Sequence, residues 1–495
     1  MKLRKSLYIT AATFAAIALL VNLAFEDPEF ENLKDKAVFE QEANQPEKAE
    51  QTLLELISQD IFNIDAHYEY ICTHFDIPYE KKERGEETIY RDDQKIVNFY
   101  DSLAGSEDPD IADIGHYGSG LAAVFLDDCT SALDYFSMVK NHRMKYLYNS
   151  VGNAYMQLDS LDQAEFYFGV EIYNKGNLQG AYSNLVYLLY YRGKTDQLEQ
   201  MLEDVEAREY FPPGIERILH FKSARILSYF RVLFRSMASG MNVMGFLAAF
   251  LIMASWVVYL RKLDIFEVEK WRHVILTVLL GMMFSVLVYP ISDFNNLVLG
   301  FDLNGQLMND FLYCVFGIGA LEELVKIIPL FIMLRFSGAI NEPFDYIKYA
   351  SLSALGFAFV ENLIYFDENS LHIIHGRALT AVVAHMFDSS VVAYGLMLNK
   401  YKTRRYPVLN FLLFFILASL AHGFYDFWLI NEKVSDFSFI TIVFLLISLF
   451  IWNTLKNNAL NQSGFFDASK KIDPGKMEDY LMYTLAGILL FEFIA

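Results

Sequence analysis

Residues 317–334 read GIGALEELVKIIPLFIML. Two adjacent glutamates, Glu322 and Glu323, and a lysine, Lys326, interrupt a run otherwise apolar enough to cross a bilayer. In water such a segment is an ordinary amphipathic helix. In hydrocarbon each charge costs about 2.5–3.5 kcal/mol even on lenient insertion scales, so neighbouring helices must supply partners. Glu322 and Lys326 are four residues apart and share a helix face, which lets the lysine neutralise the glutamate. Glu323 is turned about 100° from Glu322, so the two carboxylates can serve different roles.

The surrounding sequence favours the membrane. Apolar windows of spanning length fall at 240–260, 273–292, 310–334, 346–366, 377–398, 408–430 and 437–455. The ending DYLMYTLAGILLFEFIA fits either a short span or a tail lying on the surface. The opening MKLRKSLYITAATFAAIALL places three basic residues before an apolar run of about 20, which suits an uncleaved signal-anchor over residues 1–25. The fold expected is all-α, a polytopic membrane helix bundle of about 8–9 spans with an exported helical domain. Its parts are residues 1–25 (anchor), 26–238 (soluble domain), 239–456 (multi-span core) and 457–495 (cytoplasmic linker and possible last span).

Charge separates these materials. Of 61 acidic residues, 39 fall in 26–236 against 20 basic ones, net −19, while 237–495 holds 22 against 17, net −5. Such an acidic balance excludes a nucleic-acid partner. Cys72, Cys129 and Cys314 match no zinc-finger spacing and allow at most one disulfide in the soluble part. Lys and Arg concentrate in RKLDIFEVEKWRH, LRFSGAINEPFDYIK, NKYKTRRY and KNNALNQSGFFDASKK, which alternate with poorly basic connections. By the positive-inside rule the basic set is cytoplasmic, the amino terminus too, and the 26–238 domain lies outside.

The soluble domain resembles the tetratricopeptide repeat. Residues 145–178 and 179–212 align at a spacing of 34, with Gly152, Tyr155, Ala164 and Phe168 in one unit, and Leu189, Gly193 and Leu198 in the next. A weaker unit, GSGLAAVFLDDCTSALDYF, precedes them. The resemblance implies antiparallel helix pairs with a concave surface for a peptide or partner protein, a helical spacer being the plainer alternative. Arg225, Arg231 and Arg235 close the domain in an apolar setting that fits an amphipathic helix at the membrane surface.

Further ionisable residues recur inside the spans: Glu361 in GFAFVENLIYF, His385 and Asp388 in AHMFDSS, His422 and Asp426 in AHGFYDF. Four consecutive helices sharing such costly groups point to one interior cluster. His422 and Asp426 are four apart, and His385 and Asp388 three apart, spacings that let a carboxylate hold an imidazole tautomer. Gly317, Gly319, Gly356 and Gly423 permit close helix approach. His372 and His375, in HIIHG, read as surface residues of an outer loop. Buried polar glue between helices, a proton- or ion-coupled transporter, and a non-catalytic receptor or scaffold carrying the repeats are the competing readings.

The motifs EELVK, GFAFVENLIYF, the AHMFDSS histidine and AHGFYDF, in that order on consecutive helices, resemble the PrsW family of intramembrane proteases, related to the group containing CAAX-prenyl endopeptidases. The resemblance covers roughly residues 300–430 and leaves out the amino-terminal repeats. It implies hydrolysis of a peptide bond in a membrane-anchored protein, with Glu322, Glu323, His385 and His422 catalytic. Glu322 or Glu323 would be the general base; Glu323 is taken as base with Glu322 as its partner held by Lys326, the reverse staying open. His385 and His422 would bind a metal, zinc with Glu323 as third ligand, or act without metal by polarising the carbonyl. Glu361, Asn362, Asp388 and Asp426 would support them. The expected setting is a bacterial inner membrane, and the substrate a single-pass membrane protein such as an anti-sigma-factor-like regulator, presented by the repeats.

Overall fold

A computed structural model describes residues 30–43, 45–77, 80–82, 88–368, 373–403, 407–470 and 472–494. The expected anchor and His372 lie outside them. The chain divides into two compact units, one spanning Asp27–Leu233 and one that includes everything from Phe234 to Ala495. Cys72, Cys129 and Cys314 are all free thiols.

The first unit is built of short helices plus one small antiparallel hairpin, Glu80–Lys82 against Thr88–Tyr90, a minor exception to the all-α expectation. Asx side chains start many of its helices; Asn63, Asp108, Asp128 and Asn177 each accept a first-turn N–H. Helix Leu147–Gln157 packs on Leu161–Tyr173, and Leu178–Tyr191 on Thr195–Glu203. A Cβ on Gly152 would stand 2.5 Å from the Phe168 ring, so only glycine lets the pair close. The same contact recurs earlier in the chain, between Gly120 and Phe136. Buried Glu171 ties one helix pair to the next by accepting from the backbone nitrogens of Tyr146, Tyr148, Asn149 and Asn177.

The second unit is a bundle of long apolar helices, numbered here from its own first. Helices α1 (Val243–Leu263), α2 (Trp271–Ser285) and α3 (Val288–Val298) lead to α4 (Ala320–Phe336), which continues from Leu307–Leu312 through a π-helical run, Tyr313–Gly319. Then come α5 (Pro343–Glu368), α6 (Val382–Leu398), α7 (Pro407–Ile430), α8 (Phe439–Asn461) and α9 (Pro474–Ile494). Six helical segments among the described residues are long and apolar enough to cross a membrane: Val243–Leu263, Trp271–Val298, Pro343–Phe366, Ile374–Lys402, Val408–Ile430 and Phe439–Asn461. The seventh expected window, 310–334, is helical throughout, but its own charges keep it out of that set.

Helix α5 packs against α1, α2, α4 and α6, and its candidate span is among the most buried. Small residues explain the closeness. A Cβ on Gly356 would fall 2.1 Å from the Val278 carbonyl, and one on Gly281 would fall 2.2 Å from that of Ser353, so α2 and α5 touch backbone to backbone. A Cβ on Gly423 would lie 2.5 Å from the Val315 backbone, which brings α7 against the run leading into α4. Helix α9 takes in the described part of the ambiguous tail, through Ile494, and begins before it, about 31 Å at 1.5 Å per residue. It packs on α1, where the Tyr480 hydroxyl donates to the Ser255 carbonyl at 2.7 Å.

Candidate active site

Two of the four helices that carry the site enter through a π-helical turn. Tyr313–Gly319 precedes Glu322 by a few residues, and Arg377–Ala381 precedes His385 likewise. Such turns widen the helix and re-aim the residues that follow, and they occur often where function is located. From α4, α5, α6 and α7 come Glu322, Glu323 and Lys326; Glu361 and Asn362; His385 and Asp388; and His422 and Asp426.

Lys326 is the hub. Its fully buried ammonium donates to Glu322 Oε2 at 2.9 Å, Glu323 Oε1 at 3.0 Å and His385 Nδ1 at 2.8 Å. It also stands 4.3 Å from the centre of the Phe357 ring. An ammonium can only donate, so His385 Nδ1 accepts, and the ring proton sits on Nε2, 2.7 Å from Glu361 Oε2.

The two glutamates are not equivalent. The Glu323 side chain is wholly buried and its oxygens are occupied: Oε1 faces Lys326 and, at 3.1 Å, His422 Nδ1, while Oε2 accepts from Ser389 at 2.8 Å. Glu322 lies on the wall of a cavity of about 740 Å³, together with Glu361, His385, Asp388, His422 and Asp426. Its Oε2 is 3.4 Å from His422 Nε2 and 3.9 Å from His385 Nδ1.

Asp388 sits elsewhere than its spacing suggested. Its contact is with His422 Nδ1 at 3.6 Å, and Glu361 takes the place beside His385. Asp426 stands 3.3 Å from His422 Nε2. Asn362 accepts from Arg377 through Oδ1 at 2.7 Å, and its buried Nδ2 has no hydrogen-bond partner among the described residues. His375 is a rim residue of the cavity rather than a loop residue apart from it, held by Glu492 at 2.8 Å. Arg377, unremarkable in the sequence beside a polar loop, also lines the cavity, 2.8 Å from Glu361.

The donor set fits a metal ion. Ligand atoms of Glu322, His385 and His422 converge to within 4.8 Å, as do those of Glu323, Asp388 and His422, all buried. The first trio, not Glu323 with the two histidines, faces the cavity. His422 has carboxylate oxygens at both ring nitrogens, and a neutral imidazole donates only once. On one side a lone pair therefore meets an anion unless a proton or metal cation lies between. Among the described residues, five carboxylates (Glu322, Glu323, Glu361, Asp388, Asp426) also face two permanent cations, Lys326 and Arg377.

Histidines and carboxylates converging on a cavity inside an apolar helix bundle define a membrane-embedded centre suited to activating water. A family model described as PrsW family intramembrane metalloprotease matches residues 269–452, which contain every residue of this site and none of the first unit. The chain is 32% identical to Protease PrsW of Geobacillus kaustophilus over 178 residues, 35% of this chain and 74% of that protein. It is 26% identical to Protease PrsW of Clostridioides difficile over 225 residues, 44% of this chain and 90% of that protein. Against Protease PrsW of Oceanobacillus iheyensis identity is 32% over 138 residues, 28% of this chain, spanning less than two thirds (62%) of that relative's length. The chain belongs to the PrsW family of intramembrane metalloproteases.

Proposed function

We propose that the protein hydrolyses a peptide bond in a membrane-anchored protein, with Glu322 as general base. The observation that carries this is the exposure of Glu322, between His385 and His422, to the cavity these residues share. Glu322 takes a proton from water as its oxygen attacks the carbonyl carbon. It returns that proton to the leaving amine as the C–N bond breaks. Glu323 keeps a supporting part, since its oxygens are taken by Lys326, His422 and Ser389. This reverses the roles expected from sequence, for a base must reach the substrate.

Glu322, His385 and His422 would hold a divalent ion, zinc by the chemistry of two imidazoles and a carboxylate, with one Glu322 oxygen as ligand and the other left to act as base. Bound there, zinc supplies Lewis-acid activation of water. Metal content of detergent-purified protein by mass spectrometry tests this. The expected result is about one zinc per chain, lost in His385→Ala and in His422→Ala. Zinc retained in both variants would place it elsewhere, and active wild type without metal would leave catalysis to glutamate and histidine alone.

The charge rule puts residues 26–238 outside the cytoplasm of a bacterial inner membrane. The helix pairs at 147–203 support a tetratricopeptide-like reading of that unit. Its role here is to recruit the substrate, a single-pass protein of the anti-sigma-factor type. Deleting 30–210 is expected to spare cleavage of a short generic peptide and to lose a membrane-anchored substrate. Equal cleavage of both without this unit would end the recruitment reading.

A further inference from the structure

We infer that Arg377 is a positioning residue of this centre, acting through Glu361 to fix the orientation and tautomer of His385. The inference rests on the reading of the site as hydrolytic.

Arg377 opens the π-helical turn that leads into α6, eight residues before His385. Its guanidinium is held at three points by a single stretch of α5. Nε donates to Asn362 Oδ1 at 2.7 Å, and Nη2 lies 2.8 Å from Glu361 Oε2. The guanidinium carbon stands 4.0 Å from the centre of the Tyr365 ring. The Nη2 contact is an ion pair without an aligned hydrogen bond, so the planar fork is placed chiefly by Asn362 and Tyr365. Residues 361, 362 and 365 lie within a little over one helical turn, and the clamp therefore depends on no other element.

The oxygen of Glu361 that meets Arg377 is the one that meets His385. Oε2 sits between Arg377 Nη2 at 2.8 Å and His385 Nε2 at 2.7 Å. Glu361 reaches the cavity wall, and without the Arg377 ion pair its carboxyl group could turn into that space. Held in place, it accepts the Nε2 hydrogen bond and leaves the Nδ1 lone pair facing Lys326 and Glu322, where a metal ligated by His385 would take the place of the Lys326 hydrogen bond. A carboxylate behind an imidazole commonly orients a ligand in this way. What the geometry adds is the arginine behind the carboxylate. Its fork geometry does what a flexible lysine cannot, reaching Asn362 and Glu361 together.

The plainer role for Arg377 is charge balance and packing, and the two make different predictions. A packing role lowers stability whether or not residue 361 can ionise. A positioning role is spent entirely through Glu361. The test uses full-length protein in detergent, with Arg377→Met, Glu361→Gln and the double variant. Readouts are zinc affinity by competition with a chelating dye, kcat and KM on an internally quenched transmembrane peptide, and thermal stability. We expect each single variant to weaken zinc binding by about 10–100-fold. We expect kcat to fall with KM within about threefold of wild type, and the double variant to be no worse than the weaker single. Arg377→Lys should recover only part of the loss.

Additive losses in the double variant, or full recovery by lysine, would overturn the inference. So would loss of stability in Arg377→Met with zinc affinity and kcat intact. Should Arg377→Met not fold, Arg377→Gln carries the same cycle. If wild type binds no zinc, the metal assignment fails by itself and the kcat cycle still decides the role of Arg377.

Discussion

Glu322→Gln is expected to lower kcat by about 10²–10⁴-fold with little change in thermal stability, the range a general base contributes. Glutamine keeps the size and polarity of the side chain but cannot take a proton from water. Lys326 keeps Glu323 as its counter-charge at 3.0 Å, so the substitution does not leave a buried cation alone. Glu323→Gln should behave differently. Its side chain is fully buried, and an amide there must turn a donor toward Lys326, His422 or Ser389. Stability should fall, and kcat less than in Glu322→Gln. Turnover by purified, folded variants separates the two. Near-normal kcat in Glu322→Gln beside an inactive, folded Glu323→Gln would reverse the assignment.

Lys326→Met should destabilise the second unit by about 3–5 kcal/mol, the cost of breaking a buried ion pair by removing one partner. Methionine matches the length of the lysine, so packing against Phe357 is nearly preserved and the loss is electrostatic. What remains is two adjacent carboxylates and the Nδ1 lone pair of His385 around a neutral side chain, buried inside the helix bundle. A triple variant, Glu322→Gln with Glu323→Gln and Lys326→Met, should recover much of the stability, since removing a whole buried charge group is often close to neutral. Unfolding in detergent measures both. Unchanged stability in Lys326→Met alone would mean that another cation already balances the glutamates.

Some of this was readable from residue order. The apolar windows are local composition, and six long apolar helices fall close to them. The spacings Glu322/Lys326 and His422/Asp426 are one helical turn, and the structure places the pairs 2.9 and 3.3 Å apart. The spacing His385/Asp388 looked equivalent and is not. Asp388 turns to His422 on α7, and His385 turns to Glu361 on α5. Within one helix the period of 3.6 sets which residues share a face; which neighbouring helix that face meets is a matter of packing.

The sequence by itself determined the material of each half, the positions of the costly groups, and the helices that carry them. It did so because burying charge in hydrocarbon is so unfavourable that it marks its own location. Only the tertiary structure decided which glutamate faces the cavity, which carboxylate backs each histidine, and that Arg377 belongs to the site. Those outcomes depend on how far each helix is rotated. Here rotation is set by π-helical turns at 313–319 and 377–381 and by glycine contacts such as Gly423 on Val315, which join residues more than a hundred positions apart.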